Sequence, residues 1–250
     1  MPSFHFYPYA LSLFVLFWCG KPVLTAQPSV SHLDSVTREL IKLTEETYGS
    51  DPILVNGKKY IIPHYQAQGH PFLLSDGFTK GNVFINGKLF AQIHMAYDIY
   101  SDEVVFNTPV NEDNYIYITP GKLAVDSFSL YNLLFVNALH YKNIALENGY
   151  LELVYQGKVL VFRKHFKSFI PDLSKKGISG RYSKAGRHTY IFNNDRLYPV
   201  ITRKMLLDCF PGKEREIRSF LRQHNIKYSQ AGTDQLKILF QFCEGFIHHD

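Results

Sequence analysis

The chain has 250 residues, of which 46% are hydrophobic and 20% charged, and a formal net charge of +5. That is the balance of a globular protein with material for one large or two small domains, with enough apolar surface to bury that no covalent staple is needed for stability. Phe (20) and Tyr (17) far outnumber Trp (1), and since both favour strands the composition points to a β-rich core.

The first 26 residues stand apart. Ala10 to Gly20 is an apolar run too short for the roughly 20 residues of a membrane-spanning helix. It fits the apolar centre of a signal peptide, although His5 replaces the usual Lys or Arg before it. Leu24-Thr25-Ala26 before Gln27 offers a cleavage site, and Trp18 is too large for lipoprotein processing at Cys19. Residues 1–26 are therefore read as a signal peptide, with no transmembrane span after its removal. Cys209 and Cys243 then remain, either as one disulfide or, the reading their helix-face positions favour, as two buried thiols. No zinc-site spacing exists, and no metal or cofactor is expected.

Residues 27–49 read as a polar lead and a short amphipathic helix. Leu33, Val36, Leu40 and Leu43 recur at helical spacing, Ser31 is a candidate N-cap and Gly49 ends the segment.

Residues 50–200 read as a β-rich domain. Ile53-Leu54-Val55, Asn56-Gly57 and Lys58 to Ile62 suggest a first hairpin, ended by Pro63. His64 and His70 follow in a polar loop without a third ligand at metal spacing. Val83 to Ile85, Asn86-Gly87 and a long strand from Leu89 to Tyr100 suggest a second hairpin. In that strand Leu89, Ala91, Ile93, Met95, Tyr97 and Ile99 share an apolar face, and the opposite face is expected to be half wet. Ser101-Asp102 turns the chain into Val104 to Phe106. Tyr115 to Ile118 is a further strand, Leu123 to Leu139 is mixed, and Leu151 to Tyr155, Gln156-Gly157 and Lys158 to Phe162 form a third hairpin. Three segments thus share one local pattern, an apolar residue, Asn or Gln, and Gly-Lys.

From Arg163 to His188 there are eight basic residues (Arg163, Lys164, Lys167, Lys175, Lys176, Arg181, Lys184, Arg187) and one acid, Asp172. Phe166, Phe169 and Tyr182 are interleaved with them. Such a mixture suits nucleic acid, but export argues against that partner. What remains is an anionic surface as partner, or a solvated strand with a flexible loop from Pro171 to Arg187. From Thr202 the period becomes helical. Three short helices are expected over 205–210, 213–224 and 234–246, with Asn225 as a left-handed stop and Thr233 as a cap. The tail His248-His249-Asp250 reads as a frayed end.

The chain holds no phosphate loop, no His-Glu-x-x-His, no Gly-x-Ser-x-Gly and no dinucleotide fingerprint. Asp98 with Asp102 and Glu103 is the best carboxylate cluster, and Ser101-Asp102-Glu103 also has the composition of a turn. Asp98 is a charge in mid-strand between two tyrosines, directly after Tyr97 and two residues before Tyr100, and so a structural acceptor or a site residue.

The pattern Gly81-Asn82-Val83, Asn86-Gly87-Lys88, Met95-Ala96-Tyr97-Asp98-Ile99-Tyr100-Ser101-Asp102, then Gly149-Tyr150 and Tyr155-Gln156-Gly157-Lys158, resembles a group of uncharacterised exported proteins of Bacteroidota-type bacteria. Lys204 to Phe242 is similar to them as well. The resemblance implies a periplasmic or envelope location in a Gram-negative bacterium and brings no known activity.

The expected fold is mainly β (α+β overall), an antiparallel hairpin-rich sandwich or partly open barrel with a helical segment, residues 201–250, packed on it. An outer-membrane barrel is disfavoured by the short strands and the helical C-terminus. The expected function is a non-enzymatic binding or structural module for an envelope protein or glycan, with Asp98, Tyr97, Tyr100, Arg163, Lys164 and Lys167 as binding residues. The alternative is a carbohydrate- or cell-wall-directed hydrolase using an acidic site near Asp98.

Overall fold

The computed structural model describes residues 52–109, 114–140, 149–174, 179–193 and 196–247. All of them belong to one compact unit, Ser50–Asp250. The signal peptide, the helix expected within 27–49 and the histidines of the C-terminal tail lie outside the described residues.

The fold is one large antiparallel sheet. In chain order its strands are β1 (Lys58–Lys59), β2 (Thr79–Ile85), β3 (Lys88–Asp98), β4 (Glu103–Pro109), β5 (Tyr115–Thr119), β6 (Val125–Leu130), β7 (Leu133–Asn137), β8 (Tyr150–Gln156), β9 (Leu160–Phe166), β12 (Gly186–Asn193) and β13 (Arg196–Pro199). A separate hairpin pairs β10 (Phe169–Pro171) with β11 (Gly180–Tyr182). The 11-stranded sheet runs in the order β1-β5-β4-β3-β2-β6-β7-β8-β9-β12-β13 and is not closed. Strands β2 to β5 meander one way. The chain then returns through 120–124 to lay β6 against the free side of β2, and the second meander grows outward from there. Both edge strands are short, and β13 ends in Pro199, which lacks a donor; such edges resist pairing with another chain.

Helices follow the sheet at the C-terminal end: α2 (Arg203–Asp208), α3 (Glu214–Gln223) and α4 (Thr233–Glu244), with a single-turn α1 (Pro52–Val55) before β1. Thr202 caps α2 by accepting from the Met205 amide, which satisfies one of the donors a helix start leaves over. Asn225 stops α3 in the left-handed region, φ 50°. Leu236, Leu239, Phe240 and Cys243 recur at helical spacing on α4 and are buried against Val154, Val161 and Ile191 of the sheet. The burial of each Leu or Phe contributes about 1.5–3 kcal/mol relative to exposure. A second core on the other half of the sheet gathers Met95, Tyr97, Phe106, Phe128, Phe135 and Tyr150.

Three local expectations need correction. Residues 53–62 do not form a hairpin: Pro52–Val55 is a helical turn that buries Leu54, and β1 pairs with the distant β5. Gly57 serves close approach, since a Cβ there would stand 2.5 Å from Ile118. Of the three look-alike segments, only Asn86-Gly87 has both residues in the left-handed region, φ 50° and 77°. The long strand also changes face midway. Gly81 pairs with Ile93 but Val83 with Phe90, so two residues of β3 bulge opposite Asn82, and Gln92 takes φ 59°. An extra residue flips every side chain beyond it. Phe90 is therefore buried while Leu89 is 51% exposed, and after the bulge Met95 and Tyr97 are inside. The opposite face is not wet there either: Ala96 and Asp98 are covered by Tyr60 and Phe72. The mixed segment 123–139 is a further hairpin, turned by Tyr131 and Asn132 with φ 53° and 61°.

Candidate functional site

Asp98 closes β3 and is fully buried. Its Oδ2 accepts from the Tyr60 hydroxyl at 2.8 Å, and its Oδ1 accepts from the amides of Tyr100 (2.8 Å) and Ser101 (2.9 Å). The loop after β1 straps over it: Leu73 N donates to Tyr97 O, and Ile99 N donates to Pro71 O. Burial, then the neighbouring Asp98 carboxylate, pushes the Tyr60 phenol far above its ordinary range. His94 is exposed on β3 opposite Lys80, four residues or about 13 Å along the strand from Asp98.

Asp102 faces a different set of groups. It accepts from the Tyr97 hydroxyl at 2.6 Å and pairs with Lys164 at 2.8 Å and Lys122 at 3.1 Å. Burial pushes its carboxyl up, and the two ammonium groups with the Tyr97 hydrogen bond outweigh it, so the net shift is downward. Tyr97 itself is buried edge-on to Phe128, Phe135 and Tyr150. Tyr100 is half-buried and meets His64 Nε2 at 3.1 Å.

The basic residues at the start of the 163–188 stretch spend their charge inside the fold. Lys167 donates to the carbonyls of His70 and Phe72, both at 2.8 Å. Lys164 pairs with Asp102. Arg163 is buried, donates from Nη2 to Ala231 O at 2.9 Å, and lies 4.0 Å from Glu152. So Tyr97 and Lys164 meet at Asp102, Tyr100 and Asp98 meet through a backbone amide, and Arg163 belongs to another cluster. The six residues form no common surface. Among the described residues, no group of three or more His, Cys, Asp or Glu could hold a metal ion.

Two places were not foreseen. One is the Glu152 cluster in which Arg163 sits; an acid within the apolar run Leu151 to Tyr155 was its signal, the same signal that singled out Asp98. The other is an apolar groove of about 790 Å³ between the end of the sheet and the helices. Val159, Ile191, Tyr198 and Pro199 line it from the sheet side, Met205, Cys209, Phe210 and Pro211 from α2 and beyond, and Phe246 and Ile247 from the residues after α4. Its polar residues are Asn193, Asp208 and Lys213. Lys213 stands over the Phe246 ring, 5.3 Å from its centroid. Cys209 and Cys243 are free thiols. Burial and Asp208 push Cys209 up, and burial alone pushes Cys243 up to about 12. Neither is an activated nucleophile. No periodicity announced the groove, because its walls come from four separate stretches of chain.

The sequence matches no family model, and no curated protein and no solved structure matches it. Fold and groove therefore define the molecule by architecture: an open antiparallel sheet capped by helices, with an apolar seat at the cap. Among the described residues no helix is long and apolar enough to cross a membrane.

Proposed function

We propose that this is an exported, non-enzymatic binding module of the cell envelope, and that it seats the aliphatic chain of an acyl amphiphile in the groove between β12–β13 and α2. The observation that carries the reading is the groove itself. Its volume lies within the roughly 300–1,000 Å³ of small-ligand sites, and apolar side chains supply most of its walls, with a few polar ones to orient a headgroup. Such a lining suits a chain better than a glycan. Export rests on the apolar run Ala10 to Gly20. Against a hydrolase stands the engagement of Asp98, which is fully buried and accepts from Tyr60 and two amides beneath the strap.

The test is a fluorescence titration with a dansyl-labelled fatty acid. Saturable binding is expected, and Met205→Trp, which fills the groove, should weaken it by about tenfold or more, about 1.4 kcal/mol. Absence of saturation, or binding indifferent to Met205→Trp, refutes the assignment.

A further inference from the structure

Between the two cores, on the sheet face that carries the helices, lies a polar seam. Glu152 on β8 is fully buried, and His165 and Arg163 on β9 are 6% and 3% exposed. One oxygen of Glu152 meets His165 Nε2 at 2.5 Å and the other accepts from the Thr233 hydroxyl. Arg163 Nη2 donates to the Ala231 carbonyl, and its Nε has no hydrogen-bond partner among the described residues. Thr233 is the first residue of α4, and Ala231 lies two residues before it. The start of the helix is thus held to β8–β9 by two polar contacts that both depend on this seam.

We propose that Glu152, Arg163 and His165 form an acid-released latch on the N-terminal turn of α4. With His165 neutral, Glu152 and Arg163 balance. A proton added to the seam leaves an uncompensated positive charge in a dry place, where charge is costly. The groups facing it supply nothing to offset that charge. The Phe135 ring approaches from β7, Arg187 contributes further positive charge from β12, the Tyr228 hydroxyl, which donates to Val200 O, faces Arg163, and α4 presents the neutral Thr233. Consistent with the geometry, burial holds His165 below its ordinary pKa despite Glu152, so the closed turn resists protonation and the open turn accepts it. The sign follows: the latch holds fully above the ordinary histidine value of about 6.5 and weakens as pH falls below it. The rest of α4 stays seated, because Leu236, Leu239 and Phe240 remain in the core and Glu244 is tied to Tyr155. The latch is independent of any ligand in the groove.

Hydrogen exchange of the full chain, corrected for intrinsic rates and followed from about pH 7.5 to 5.5, tests this. Opening of residues 228–236 should rise by up to about tenfold per pH unit below the histidine value, with β2–β4 unchanged. His165→Gln keeps a donor to Glu152 but cannot titrate, and should flatten the response. Thr233→Val, an edit outside the sheet, should open the same residues already at neutral pH. Equal acceleration of β2–β4, an acid response that survives in His165→Gln, or a Thr233→Val protein as protected as the parent at neutral pH each overturns the latch. Should His165→Gln fail to fold, the parent profile decides: a response of residues 228–236 that stays flat from about pH 7.5 to 5.5 overturns the latch.

Discussion

Asp98 and Glu152 are the same kind of feature, an acid set in an apolar strand and sealed from water, yet they are satisfied in opposite ways. Asp98 is served by neutral donors, two of them amides only two and three residues ahead, with Tyr60 added by the strap. Glu152 depends on partners from other elements, His165 and Arg163 on β9 and Thr233 on α4, 81 residues away. A turn can shelter a carboxylate by itself, because backbone amides need no desolvated counter-charge. A carboxylate balanced by Arg and His ties several elements into one electrostatic unit, and the loss of any member strands the others.

The largest effect should follow from Glu152→Ala, which leaves Arg163 buried without its counter-charge. A loss of about 3–5 kcal/mol in urea unfolding is expected; a loss no greater than that of an Asp98 variant would erase the contrast between the two sites. Asp98→Asn should cost less, about 1–3 kcal/mol, since the amide oxygen still accepts from the turn and only the Tyr60 contact is left mismatched. Asp102 is the intermediate case, served by its neighbour Tyr97 and by the distant Lys164. Its depressed carboxyl contributes stability that is present above the ordinary value of about 3.9 and lost as pH falls below it toward the lower folded value. Lys164→Gln should remove part of that contribution, about 1 kcal/mol near neutral pH, and flatten the acid limb of stability measured below about pH 4. An unchanged acid limb would place the work with Tyr97 and Lys122.

Much of the β architecture was legible because strand alternation and Asn86-Gly87 act over a few residues. The errors arose where a short pattern met a distant constraint. Asn56-Gly57 has the composition of a hairpin turn, but Gly57 is needed where the backbone passes Ile118. Gln92 carries a bulge that its residue type does not advertise, and the bulge reverses the faces of β3. Tyr131-Asn132 turns without glycine. Asp98 was visible as a mid-strand charge, but whether it faced a cleft or a turn depended on the strap that crosses it. Arg163, Lys164 and Lys167 looked like a basic face, yet each found a partner remote in sequence inside the fold.

By itself the sequence determined what local chemistry can determine: strands from period-two patterning, the Asn86-Gly87 hairpin from its tolerance of positive φ, and the helical C-terminal segment from its change of period and its stop at Asn225. Tertiary structure decided which strand lies beside which, where the Glu152 seam and the groove form, and that Asp98, Arg163, Lys164 and Lys167 each find their partners within the protein. Those outcomes depend on contacts between residues far apart in the chain, and no periodicity encodes them.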